Sequence, residues 1–119
     1  MWKRSILGLL IVAVSTNCNS QRPKDGTYTY TVIWDEFQGK STGSTVTVKI
    51  IGDSIYVINN GSLTGEKGEI IEAGIIMKHR KTGRWIIAHS PNDKNAEEVG
   101  TCGEGPTAVD FVHRRYYAC

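Results

Sequence analysis

The sequence TVTVKIIGDSIYVI, at residues 45–58, decides the fold of this chain. Apolar and polar residues alternate on both sides of Gly52-Asp53, and a period of two is typical of strands with one buried face. A two-residue connection that begins with glycine favours a type II′ hairpin turn. Folding the chain there makes the apolar faces of the two strands meet. The predicted pairs are Ile51 with Ser54, Ile50 with Ile55, and Val48 with Val57.

The rest of the chain after residue 26 also reads as short strands separated by turn residues. Alternation in TYTYTVIW (27–34) puts Tyr28, Tyr30 and Trp34 on one face. Gly74 interrupts an apolar strand and predicts a bulge or a close backbone approach. The other expected segments are a glycine and serine loop at 39–44, a turn at Asn60-Gly61, and strands within 69–78, 84–89, 107–112 and 114–119.

Seven or eight sequential strands follow, with turn signals spaced about every ten residues. This pattern predicts an all-β fold: a single small antiparallel barrel or sandwich after an N-terminal signal helix. A barrel of about eight strands is either filled by side chains or holds one small ligand. The sequence leaves both outcomes open.

The first residues predict a targeting signal. Lys3 and Arg4 precede an apolar run over residues 6–14. Because a spanning helix needs about 20 apolar residues, this run predicts a signal peptide, residues 1–17, instead. Cleavage after the small-x-small sequence that ends at Ser15 is the alternative, and it would give a plainly secreted protein.

Ser15-Thr16-Asn17-Cys18 resembles the lipobox of bacterial lipoproteins, with Ser15 and Asn17 in place of the usual Leu and Gly or Ala. The resemblance implies a cut before Cys18 and a diacylglyceryl group on its thiol. Residues 18–26 then form a lipid-anchored tether and 27–119 form the β-barrel domain. By strand number and size, that domain resembles lipocalin-like and other small barrels of bacterial lipoproteins. The implied location is the outer membrane, on its periplasmic or surface face.

The cysteine count agrees with lipid attachment. The chain holds three cysteines, and an odd cysteine in an exported protein needs an explanation. Assigning Cys18 to lipid leaves Cys102 and Cys119 as a pair, which we expect to form a disulfide in an oxidising compartment. Such a bridge contributes about 3 kcal/mol, mainly by restricting the unfolded chain.

Charge argues against nucleic acid as a partner. Removal of residues 1–17 leaves a chain of one domain's length, with twelve Lys and Arg against twelve Asp and Glu. Nucleic-acid-binding domains usually carry a basic excess. We expect contact with the membrane through the N-terminal lipid, and a small apolar ligand or an envelope protein as a binding partner.

Few residues indicate chemistry. His79, His89 and His113 lack the close spacing of zinc sites, so we expect no metal and no cofactor. His79 and His113 fall in predicted turns, where we expect them to be solvated. The nucleophile motif G-x-S-x-G does not occur in the sequence, and we expect no catalytic residues.

The aromatic stripe Tyr28, Tyr30 and Trp34 is the candidate site for a small ligand, with core packing as its alternative. Our leading hypothesis is a non-enzymatic binding module on the cell envelope, for a small ligand or a partner protein. An inhibitor of secreted hydrolases, or another protein-interaction module, is one alternative. A small hydrolase is another, and it requires His89 or His113 in a cleft with a carboxylate.

Lipid attachment at Cys18 is testable by metabolic labelling with a clickable fatty acid. We expect label on the wild-type protein and none on Cys18→Ser, because the thiol is the acylated atom. Cys119→Ser, which leaves Cys18 intact, is the matched control and should retain the label. Labelling that survives Cys18→Ser would contradict the lipoprotein assignment.

Overall fold

A computed structural model of the chain describes residues 22–34, 40–100 and 105–119. Seven strands and one short 3-10 helix, Pro91–Asn95, lie in these ranges. Within them, no helix is both long and apolar enough to span a bilayer. The strands are β1 (Gly26–Trp34), β2 (Lys40–Ile51), β3 (Ser54–Ile58), β4 (Ile70–Lys78), β5 (Trp85–Ala88), β6 (Thr107–Asp110) and β7 (Arg115–Ala118).

The seven strands form a closed barrel in sequential order, which confirms the predicted all-β fold. Each strand pairs antiparallel with the next, whereas β1 and β7 pair in parallel, with Thr31 opposite Arg115 and Trp34 opposite Ala118. The parallel pair is a consequence of the odd number of strands, because the first and last then run in the same direction. Closure leaves the sheet without a free edge. Because the seven strands lie within residues 26–118, the chain from residue 18 onward contains the whole barrel.

The hairpin at Gly52-Asp53 has the predicted register. Ile51 pairs with Ser54, and Ile50 pairs with Ile55. Gly52 has a φ of +60°, which is the value that the first position of a type II′ turn requires and that glycine adopts without strain. The turn and the alternation therefore fix the same register.

Side chains fill the middle of the barrel. Tyr30 is only 1% exposed, and Phe111 contacts it edge to face with ring centroids 6.5 Å apart. The predicted alternation of β1 is confirmed, because Tyr28 and Trp34 pack against the same core. Inward-facing residues of all seven strands or their ends make up this core: Tyr30, Val32, Val46, Val48, Ile50, Ile55, Val57, Ile76, Ile87, Val109, Phe111 and Tyr116.

The barrel has two distinct ends, the tether end and the mouth. The tether end holds residues 22–25, where the described chain begins, and the turns at 52–53, 79–84 and 111–114. The mouth is the opposite end, where β1 finishes at Trp34. It also holds the loop of residues 59–69, residues 105–107 and the C-terminus.

The expected loop at 39–44 is wrong in part, since β2 begins at Lys40. Trp34 pairs with Lys40, and the register of the two strands shifts between Thr31 and Ile33. Local glycine and serine content predicted a loop, but pairing with β1 overrides so weak a local preference. The register shift leaves more residues on β2, between Ser41 and Thr45, than on β1, between Thr31 and Ile33.

Residues 89–100 form a strap across the outer wall of β5. His79 fastens it, because its Nε2 donates to the Ala96 carbonyl at 2.6 Å while its Nδ1 lies 2.9 Å from the Thr82 hydroxyl. His79 is only 1% exposed. The expectation that it is solvated is therefore wrong. A turn position in sequence gave no sign that the later strap would cover it.

Gly74 is a close-approach position, as one of the two predicted alternatives required. A Cβ atom there would lie 2.5 Å from the Ala88 carbonyl oxygen and 2.8 Å from Ile87 Cγ2. The register shift between β3 and β4 lies between Val57 and Ile58 instead. Only glycine fits at Gly74, because the end of β5 leaves no room for a Cβ atom there.

Gly74→Ala tests this packing. We expect a loss of about 1–3 kcal/mol of unfolding free energy, because overpacking forces the backbone of β5 to move. The melting temperature should fall by about 4–8 °C for each kcal/mol. Ala73→Ser adds one atom to the neighbouring exposed residue and should change stability little. Equal melting temperatures for the two variants would contradict the close approach.

Candidate functional site

A carboxylate faces the barrel interior near the mouth. The inward positions of β4 are Ile76, Gly74 and Glu72, because side chains alternate along a strand. The Glu72 side chain is only 13% exposed. A charged group in such a position is stable only when hydrogen bonds or ion pairs compensate its lost hydration.

Three side chains supply this compensation. The Tyr116 hydroxyl donates to Glu72 Oε1 at 2.7 Å. The Thr107 hydroxyl donates to Oε2 at 3.0 Å, and His89 Nε2 lies 3.2 Å from the same oxygen. We call Glu72, His89, Thr107 and Tyr116 the carboxylate cluster. Its members come from β4, the end of β5, β6 and β7, so the closed barrel assembles it.

The electrostatics of the cluster keep Tyr116 in its neutral form. Burial raises the pKa of Tyr116 well above its usual range, and the negative charge of Glu72 and the hydrogen bond to it raise that pKa further. A phenol that stays protonated is a permanent donor to the carboxylate. In the cluster, the hydroxyls of Tyr116 and Thr107 therefore donate and the carboxylate of Glu72 accepts.

Beside the cluster, the mouth contains a cavity of about 270 Å³. Trp34 forms one wall, and its Nε1 donates to the Thr42 hydroxyl at 3.1 Å. Thr107 and Tyr116 of the carboxylate cluster also line the cavity. The cavity thus combines apolar walls with a few hydrogen-bonding groups, as ligand sites usually do. Its other lining residues include Leu63, Pro106, Tyr117, Ala118 and Cys119.

Leu63 is held in place by a buried amide. Asn59 is 1% exposed, and its Nδ2 donates to the Leu63 and Thr64 carbonyls at 3.3 and 3.0 Å. The Gly61 N–H donates to Asn59 Oδ1 at 2.8 Å. These bonds order the long loop between β3 and β4, and they hold Leu63, which lines the same cavity as Trp34.

His89 faces a second cavity, of about 390 Å³, between the strap and the barrel. Its side chain is 56% exposed, so solvent reaches the cluster from this side. The hydroxyl of Thr107 and the imidazole of His89 both bind the same Glu72 oxygen. A hydrolytic triad needs the imidazole between hydroxyl and acid, whereas this arrangement is branched. The geometry suits binding better than nucleophilic attack.

The predicted aromatic stripe is divided between the core and the two ends. Tyr28 lies at the tether end, where its hydroxyl donates to the Lys24 carbonyl and Arg114 covers its ring at 5.1 Å. Tyr30 is core. Trp34 is the member that lines the mouth cavity. Six residues of strand separate Tyr28 from Trp34, or about 20 Å, so one small ligand cannot touch both.

The predicted modification sites are only partly within the described residues. Cys18 and Cys102 lie outside them, so the lipid attachment and the Cys102–Cys119 disulfide stay predictions. Cys119 is at the mouth. His113 lies in the exposed turn before β7, with its Nδ1 2.9 Å from Asp110 Oδ2. Within the ranges 22–34, 40–100 and 105–119, no three His, Cys, Asp or Glu side chains cluster as metal ligands would.

Sequence reasoning missed Glu72, although a signal was present. Counting in twos from Ile76 through Gly74 places Glu72 on the buried face of β4. A glutamate on a buried face predicts polar partners on neighbouring strands. The partners themselves were not predictable, because Thr107 and Tyr116 are 35 and 44 residues away in sequence.

Comparisons with family models, curated proteins and solved structures gave no match.

Alkaline titration tests the environment of the buried tyrosines. Burial raises the pKa of Tyr30 to about 12, and the pKa of Tyr116 is raised as well. The folded state therefore favours the neutral phenols. Their contribution to stability is complete below the unfolded pKa of about 10, and it is lost as the pH rises from there through the folded values.

We expect the melting temperature to fall above about pH 10, and Tyr116→Phe to weaken that fall. At neutral pH the same variant should lose about 1.5–3 kcal/mol, because Glu72 loses a donor. Tyr56→Phe, on the outer wall of β3, is the matched control. If both variants show the same pH profile, the phenol of Tyr116 is not held neutral by the cluster.

Proposed function

We propose that this chain is a lipid-anchored binding module of the bacterial cell envelope, without enzymatic activity, that takes a small ligand at the mouth of its barrel. The observation that carries the proposal is the mouth cavity, where apolar walls meet hydrogen-bonding atoms of the carboxylate cluster. Because the middle of the barrel is filled, the ligand belongs at the mouth and not in a central channel.

The chemistry of the cavity defines the ligand class. A volume of about 270 Å³ suits a molecule built on a single ring, since sites for larger drug-sized molecules reach about 300–1,000 Å³. Trp34 offers a face for stacking an apolar or sugar ring. Because the hydroxyls of Thr107 and Tyr116 donate their hydrogens to Glu72, they can only accept from a ligand, which favours hydroxyl or ammonium groups over anions. Glu69, beside a neighbouring cavity that Trp34 also lines, adds to the same preference.

The proposed disulfide fits the position of Cys119. Gly100 and Gly105, which flank the segment that contains Cys102, line the same cavity as Cys119. Cys102 is two residues from Gly100 and three from Gly105, and each residue spans at most about 3.6 Å. The proposed bridge would therefore close one side of the mouth.

Fluorescence of Trp34 provides a direct test. The chain from residue 18 holds two tryptophans, Trp34 and Trp85, so Trp85→Phe makes Trp34 the single reporter. We would titrate this variant with single-ring amines, sugars and amino sugars, and examine protein recovered from envelopes by native mass spectrometry. We expect saturable changes in emission for molecules that combine a ring with hydroxyl or ammonium groups.

Two variants separate the mouth from the rest of the barrel. Leu63→Ala should weaken binding of the best probe about tenfold or more, because it removes an apolar wall. Val112→Ala, at the tether end, should leave the affinity unchanged. If no probe changes the emission and no ligand is retained, or if both variants behave alike, the mouth is not the binding site.

A further inference from the structure

The tether end carries a concentration of positive charge. Eight exposed lysine and arginine side chains belong to it, on the segment before β1, on the turns and at the adjoining strand ends. Carboxylates are fewer there, namely Asp25, Asp53 and Asp110 and, on the strap, Glu97. We call these cations the basic rim: Arg22, Lys24, Lys78, Arg80, Lys81, Arg84, Arg114 and Arg115.

The carboxylates of the tether end are engaged in its turns. Asp25 Oδ1 accepts from the Gly52 N–H at 2.9 Å, and Asp53 forms an ion pair with Arg22. Asp110 Oδ1 accepts from the backbone N–H groups that follow it in the turn to β7. Although partial burial opposes it, hydrogen bonding to His113 and to the Val112 N–H lowers the pKa of Asp110. Lys81 pairs with Glu97 of the strap at 2.9 Å. The lysines and arginines of this end still outnumber its carboxylates by eight to four.

Two of the cations border a groove with apolar walls. The groove, of about 320 Å³, is lined by Lys78 and Arg84 together with Trp85 and Val112. The Lys78 ammonium lies 5.3 Å from the centre of the Trp85 ring. Val112, at the tip of the turn between β6 and β7, is 55% exposed. Cationic groups beside an exposed apolar tip match the boundary between phosphate headgroups and acyl chains.

Covalent connectivity places the anchor at the same end. Arg22 is the first described residue, and its ion pair with Asp53 holds it against the turn between β2 and β3. Cys18 precedes it by four residues, which span at most about 14 Å. This step rests on the proposed lipid at Cys18. With that lipid in the bilayer, the basic rim lies within about one or two Debye lengths of the headgroups.

We propose that the tether end is a membrane-docking surface that binds anionic phospholipid headgroups. The rim, and the groove of Lys78 and Arg84, supply the charge, and Val112 supplies the apolar contact. Charge at the opposite end supports one orientation. The described charges around the mouth are mainly acidic, with Glu66, Glu69, Glu72 and Glu98 against Lys40 and Lys67. An anionic surface therefore attracts the tether end and repels the mouth.

Vesicle co-sedimentation of an unlipidated domain tests the rim alone. We would use the chain from residue 18 with Cys18→Ser, which contains the whole closed barrel. The probes are vesicles of phosphatidylcholine mixed with phosphatidylglycerol, and vesicles of phosphatidylcholine only. We expect binding to the anionic vesicles that weakens as salt is raised, because screening shortens the range of the attraction.

A matched pair of charge variants locates the surface. Lys78→Gln combined with Arg80→Gln should lower the partition coefficient on anionic vesicles by roughly ten- to thirtyfold. Lys40→Gln combined with Lys67→Gln removes the same charge from the mouth, and should leave the partition coefficient unchanged or raise it. Circular dichroism spectra would establish that both variants keep the barrel.

Equal binding to both vesicle types, or equal losses in both variants, would overturn the docking surface. Because the domain in this assay carries no lipid, a negative result leaves acylation of Cys18 and ligand binding at the mouth to their own experiments. Conversely, vesicle binding by the rim would stand even if Cys18 were found unmodified.

Discussion

The parallel pairing of β1 with β7 is the constraint on which the other features depend. Seven strands that alternate in direction bring the first and last strands together only as a parallel pair. The Thr31 N–H donates to the Arg114 carbonyl at 2.9 Å at the start of this seam. Without the seam, both outer strands would expose unpaired backbone groups. With it, Trp34 and Ala118 lie side by side, so the seam also builds the mouth.

Closure explains why a charged group is tolerated inside so small a barrel. The centre is occupied by apolar and aromatic side chains, and Glu72 lies off-centre, where strands from across the sequence supply donors. A buried ion pair is weak evidence for stability, because desolvation offsets much of its attraction. An apolar residue at this position would be simpler for folding alone. Under the proposed function, the carboxylate cluster orients the hydroxyls of Thr107 and Tyr116, two residues that line the mouth cavity.

The features predicted correctly are those that neighbouring residues decide. The register at Gly52-Asp53 followed from a turn type and an alternation, and the close approach at Gly74 followed from a glycine within an apolar strand. The two features that failed have different causes. His79 is buried by the strap, whose Ala96 lies 17 residues further along the chain. Lys40 and Ser41 pair with Trp34 and Ile33 of β1, and this pairing overrides the local preference of glycine and serine for a loop. Glu72 was predictable in part. Alternation along β4 places it on the buried face, but the sequence does not show which residues of other strands bind it.

The separation of charge between the two ends exists only in the folded chain. Lysines and arginines of the tether end come from three separate segments, residues 22–24, 78–84 and 114–115, of a sequence whose formal net charge after residue 17 is zero. The net charge of zero therefore does not reveal that the fold places basic residues at one end of the barrel and acidic residues at the other. β1 rises about 3.3 Å per residue, so the steps from Gly26 to Trp34 separate the two ends of this strand by about 26 Å. A surface that holds the basic rim leaves the acidic mouth facing away from it, open to ligands that approach from solution.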